Sequence, residues 1–164
     1  VPHNVRKEYN SSDEDLTDNG IVQALELREK IKNIKFDIVI SSPLLRTIHT
    51  ENILTYYDDS IITDERLKER DCGDLDGKPN EYTNREEYWN YYTKIQYGTS
   101  ENIKSFFERV YAFLDELKTK KYEQVLIVAH SGVSKAFSGY FEGIKDGKFL
   151  NRGLKNCEIK MYEM

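Results

Sequence analysis

The sequence predicts one α/β domain, a three-layer α/β/α sandwich with a mostly parallel central sheet. Three observations carry that prediction. Short apolar runs rich in β-branched residues alternate with longer segments of helical spacing, and 164 residues suffice for one sizeable core. Strands separated by helices pair in parallel and need cover on both faces.

Residues 1–15 are polar, carry Pro2 and the run Ser11-Ser12-Asp13-Glu14-Asp15, and read as loop. At Leu16 the pattern changes. Thr17 can cap, Asp18 favours a helix start, and Ile21, Ala24, Leu25 and Ile31 share one face of a helix running to about Lys32. Residues 36–40 form a buried-strand pattern. Ser41-Ser42-Pro43 then opens a helix with proline in the first turn, where its missing N–H is harmless, and Arg46 falls in or near that turn. Residues 60–63 read as a short strand, and residues 67–77, charged and broken by glycine, as a surface loop. Thr83 and Glu86 make a capping-box pattern ahead of Tyr88, Trp89, Tyr91 and Tyr92, so a short aromatic helix follows. Those aromatics either line a pocket or cover the core, and covering the core is the commoner use.

Ser100 caps the clearest helix, in which Ile103, Phe106, Phe107, Val110, Phe113, Leu114 and Leu117 follow three- and four-residue spacing. Residues 125–129 are continuously apolar. They end at a polar turn, and helical spacing resumes over 133–141, which gives strand, tight turn and helix with His130 at the hinge. A Gly/Lys-rich connection over 143–153 leads to a last strand at 157–162.

Composition excludes several classes. A hydrophobic fraction of 38% without a membrane-length apolar run argues against insertion, and a net charge of −5 without a Lys/Arg stripe argues against nucleic acid. Cys72 and Cys157 lack metal-type spacing, so free thiols of a reducing, cytoplasmic compartment are the default reading, with pairing of the two the open alternative. His3, His49 and His130 form no recognisable metal cluster, so neither metal nor cofactor is expected. Oligomeric state and targeting are not readable from these residues.

Ligands of open α/β sheets bind outside the carboxyl ends of the strands, where the next helix points its free N–H groups. His130 and Arg46 both fall at such ends. Either one alone reads as an ordinary turn or helix residue; together they suggest an anion site.

Several segments, in order, resemble the histidine phosphatase superfamily, the phosphoglycerate mutase-like fold. Leu16-Thr17-Asp18-Asn19-Gly20-Ile21-Val22-Gln23-Ala24 resembles its L-T-x-x-G-x-x-Q-A segment, and Ser41-Ser42-Pro43-Leu44-Leu45-Arg46-Thr47 its S-S-P-L-x-R-[AT]. Leu67-Lys68-Glu69-Arg70-Asp71-Cys72-Gly73 resembles L-x-E-x-x-x-G, with Leu75-Asp76-Gly77 after it. Residues 98–101 loosely match a Gly-Glu-Ser stretch, residues 125–133 resemble V-L-[IV]-V-[SA]-H-[GS]-G-V, and Asn156-Cys157-Glu158-Ile159 resembles N-C-S-I. The family's R-H-G-[EQ]-x-x-x-N motif is represented only by its end: if Asn4 closes it, the attacking histidine and the first strand lie ahead of Val1. His3, with no apolar strand before it, does not fit that part.

The resemblance implies a metal-independent phosphatase that hydrolyses a small phosphate ester through a phosphohistidine. Arg46 and His130 would hold the phosphoryl oxygens, with the Asn4 amide and the backbone near Ser131 as further donors. Glu69 would protonate the leaving oxygen and then activate water, a dual role that calls for a pKa raised toward neutrality. A phosphoglycerate mutase would share every one of these residues. The short stretch from Gly73 to Gly98, with only Lys78, Arg85 and Lys94 as basic residues, favours hydrolysis. A non-catalytic phosphate-binding or interaction module is the remaining alternative if nothing precedes Val1.

Overall fold

The computed structural model describes residues 1–57 and 62–164. Its elements run α1 (Pro2–Arg6), α2 (Asp18–Ile31), β1 (Ile38–Ser41), α3 (Leu45–Leu54), β2 (Ile62–Thr63), α4 (Arg85–Tyr88), α5 (Ile103–Lys118), β3 (Val125–Val128) and α6 (Ser131–Glu142). Among the described residues the strands form one parallel sheet in the order β2-β1-β3. Ile38 stands opposite Val125 and Ser41 opposite Val128, which aligns the carboxyl ends of β1 and β3.

Side chains of a strand alternate between faces, and here each face has its own apolar layer. Ile38, Ile40, Val125 and Ile127 join the large cluster built by α5 and α6, whereas Val39, Leu126 and Val128 meet Leu27 and Ile31 of α2 and Leu54 of α3. The expected three-layer architecture is therefore present. All seven apolar residues read onto the α5 stripe are buried. Tyr88 is fully buried against the edges of Tyr9, Trp89 and Tyr97, so this part of the aromatic run serves the core; Tyr92 is exposed.

Thr17 caps α2, its hydroxyl accepting from the Gly20 N–H. Elsewhere the boundaries differ from the sequence reading for local reasons. Residues 2–6 form a short helix instead of loop, entered through Pro2 and closed by Lys7 in the left-handed region. Pro43 lies ahead of α3, not in its first turn: Leu44 is the extended N-cap residue, and the Asp13 carboxylate accepts the Leu45 N–H at 2.6 Å. Asn84 rather than Thr83 caps α4, because the Thr83 hydroxyl is paired with Tyr9. Asn102 caps α5, while Ser100 is buried two residues upstream. Residues 67–77 are not a surface loop, since Leu67, Arg70, Cys72 and Leu75 are all buried. Of the strand expected at 60–63, residues 60 and 61 lie outside the described residues and the rest is β2. Residues 157–162 form no strand: Cys157 has a φ of 52°, incompatible with extended backbone, and Tyr162 instead stacks on Phe141. Both cysteines are free thiols, and no helix among the described residues is long and apolar enough to cross a membrane.

Candidate active site

The parallel register brings the residues after β1 and β3 side by side. Arg46, in the first turn of α3, and His130, the N-cap residue of α6, are both buried there. Nε of Arg46 donates to Nδ1 of His130 at 3.3 Å, and His130 Nε2 lies 2.8 Å from Ser42 Oγ. Because Nδ1 accepts, the proton sits on Nε2 and is donated to Ser42. Burial, and next the Arg46 charge, hold the His130 pKa well below the ordinary value, so the imidazole is neutral. Nη1 of Arg46 donates to the Ser12 carbonyl, and its Nη2 carries no hydrogen bond among the described residues.

Glu69 reaches the same place from the loop after β2. Its Oε2 accepts the Gly132 N–H at 3.1 Å, at the positive end of α6, and its Oε1 accepts the Arg70 N–H at 2.9 Å. Gly132 permits the approach, for a Cβ there would collide with Glu69 Oε1 and press on Trp89. The helix starts at this edge are thus not vacant anion sites: Asp13 occupies that of α3 and Glu69 that of α6.

Arg46, His130 and Glu69 are brought together as the sequence suggested. Ser131 is adjacent, exposed at the first position of α6, and its hydroxyl accepts from Lys135 Nζ at 3.3 Å. Asn4 stands apart, its amide donating to Asn156 on the surface. His3 is held by Glu14, which accepts from its ring and from its backbone N–H.

Four participants were missed. Ser42 receives the His130 proton. Lys135 is buried beside Trp89 with its pKa pushed down to about 8 by burial, and one signal for it was available: a lysine between Val133 and Ala136 on an apolar helix face. Arg70 and Arg109 grip the loop around Glu69, and nothing in their local sequence distinguished them from solvated charges.

A parallel-sheet α/β domain with arginine, neutral imidazole and carboxylate converging at its strand ends is the class that fold and site define. The model of the histidine phosphatase superfamily, branch 1, matches residues 2–164, and the chain belongs to that superfamily. It is 31% identical to a putative phosphoserine phosphatase 2 of Hydrogenobacter thermophilus over 93% of this chain and 78% of that protein. It is 28% identical to a 2,3-bisphosphoglycerate-dependent phosphoglycerate mutase of Enterococcus faecalis, over 93% of this chain and 85% of the mutase. A phosphoserine phosphatase from Entamoeba histolytica, solved with 3-phosphoglyceric acid, shares the fold with a TM-score of 0.81 at 23% identity, covering 96% of this chain and 82% of that one.

Proposed function

We propose that the protein is a phosphatase that hydrolyses a small phosphate monoester through a phosphohistidine. The observation that supports this reading best is the convergence of Arg46, His130 and Glu69 on the aligned ends of β1 and β3. The attacking group in this reading is the imidazole of the family's Arg-His-Gly motif. Its nitrogen bonds to phosphorus as the ester oxygen departs, and that oxygen takes the proton of the Glu69 carboxyl. Water then attacks the phosphohistidine and gives its proton to the Glu69 carboxylate, which restores the acid.

Phosphoryl transfer depends chiefly on positioning and on stabilising charge on the equatorial oxygens. Arg46 supplies that charge through its planar fork, its Nη2 without a hydrogen bond among the described residues, and a guanidinium in that place supports a metal-independent reading. His130, neutral, contributes a hydrogen-bond donor once its Nε2–H turns from Ser42 to the phosphoryl group. Ser131, adjacent at the start of α6, adds a further donor; Asn4, turned to Asn156, would join only by leaving that partner.

Turnover of a panel of phosphomonoesters by the full-length protein, with acid-labile, base-stable phosphate trapped on histidine, tests the reading. Arg46→Ala should abolish ester binding, whereas Glu69→Gln should depress turnover and leave binding nearly intact. Unchanged turnover in the Glu69 variant would remove Glu69 from its role. A mutase, a reading that the Enterococcus relative supports, would interconvert phosphoglycerates faster than it releases phosphate. An intact mass above 19.3 kDa, with fragments reading Arg-His-Gly before Val1, would supply the nucleophile; a mass equal to the present chain would favour a non-catalytic relative.

A further inference from the structure

We infer that Arg109 is a positioning residue for the acid: through Glu101 and three backbone carbonyls it fixes the loop that aims Glu69 at the first turn of α6. This inference rests on the role proposed for Glu69. From the middle of α5, Arg109 Nη1 donates to the carbonyls of Arg66 at 2.7 Å and Lys68 at 2.9 Å, and Nη2 donates to the carbonyl of Glu69 itself at 3.1 Å. The other side of the fork holds Glu101 bidentately, Nε to Oε1 at 2.7 Å and Nη2 to Oε2 at 2.9 Å. Glu101 in turn accepts the Asp71 N–H on its carboxylate and exchanges backbone bonds with Arg70 Nε and the Asp71 carbonyl.

The backbone from residue 66 to residue 71 is therefore strapped on both sides of Glu69. A loop of this composition has no ladder of its own to hold it, and an acid displaced by about 1 Å loses much of its effect. Lysine, a point charge without a fork, cannot make these bonds at once. Ionisation of the side chain is not involved; the device is geometric.

The test compares the full-length wild type with Arg109→Met, Arg109→Lys, Glu69→Gln and the Arg109→Met/Glu69→Gln double variant on two esters. p-Nitrophenyl phosphate has a leaving group that needs little protonation, and a simple alkyl phosphate has one that needs it fully. General acids contribute about 10²–10⁴-fold. Arg109→Met should lower kcat on the alkyl ester by about 100-fold, lower it only slightly on the aryl ester, and leave KM nearly unchanged. Arg109→Lys, which keeps charge and stem, should show the same pattern in milder form, and the double variant should be no slower than Glu69→Gln alone. In amide exchange, the Gly132 N–H, bonded to Glu69, should exchange faster in Arg109→Met, while the Ser42 N–H, bonded to the Val128 carbonyl, should not change. Equal losses on both esters, additive losses in the double variant, or unchanged exchange at Gly132 would overturn the inference. Failure of the underlying reading would look different: Glu69→Gln would then itself treat the two esters alike, and exchange at Gly132 alone would decide whether Arg109 orients this loop.

Discussion

The loop that carries Glu69 and the segment that precedes α2 are both poor in regular structure and both rich in charge, yet they are held in different proportions by two kinds of tie. Around Glu69, guanidinium groups reach backbone carbonyls: Arg70 those of Tyr88 and Glu101, Arg109 those of Arg66, Lys68 and Glu69. Arg70 is buried on the face of the Tyr88 ring, with Cζ 3.9 Å from its centroid. Before α2, beside the Ser12 carbonyl held by Arg46 and the Leu45 N–H held by Asp13, the ties include side-chain ion pairs near solvent, such as Arg6 with Glu8 and Glu14. Solvent screens the second kind more than the first. Charge count does not make a segment firm; the identity and burial of the partner do.

Four substitutions can break or sharpen this contrast. The largest effect belongs to Arg70→Met, which strands the Tyr88 and Glu101 carbonyls in the interior and should lower unfolding free energy by about 3–5 kcal/mol, as read from denaturant midpoints. Next is Glu51, a buried carboxyl of α3 whose Oε2 finds no hydrogen-bond partner among the described residues and whose pKa burial raises to about 7. A folded-state pKa above the unfolded one favours the protonated form in the fold. Its stability contribution is therefore complete below about pH 4.5 and lost as pH rises through 7, on the order of 3 kcal/mol in total. Glu51→Gln should accordingly stabilise at pH 8 and change little at pH 4. If melting at pH 8 were unaffected, a buried charge without a partner would be no worse than one with carbonyls, and the contrast would fail. Gly132→Ala forces a Cβ against Glu69 and Trp89, which should destabilise by about 1–3 kcal/mol and depress turnover more than ester binding. Arg6→Ala is the smallest: its thermal melt should overlay that of the wild type.

How much of this was legible in the sequence depended on whether the signal was local. The β3-turn-α6 unit, the Thr17 cap and the α5 stripe all rest on residues within one or two turns of each other, and each stands where it was read. Arg46, His130 and Glu69 were legible through motif resemblance, and parallel register explains why the first two meet. What failed was set by distant partners. Thr83 is taken by Tyr9, so the cap passes to Asn84; Asp13 from another segment satisfies the first N–H of α3; and the extended pattern at 157–162 is defeated by the left-handed turn at Cys157. The charged residues at 67–77 looked solvated because their partners, Arg109 and Glu101 among them, lie some thirty to forty positions away.

One feature of the core also serves observation. Trp89 is the sole tryptophan of the chain, buried, with its ring 5.0 Å from Lys135 Nζ and 5.3 Å from Arg70 Cζ, and its edge against Gly132. Indole emission responds to nearby charge, so its intensity and wavelength report on the very turn that Glu69 caps. The molecule carries its own optical probe: ligand occupancy, loop displacement and the Lys135 titration near pH 8 can each be followed by fluorescence, with no label attached.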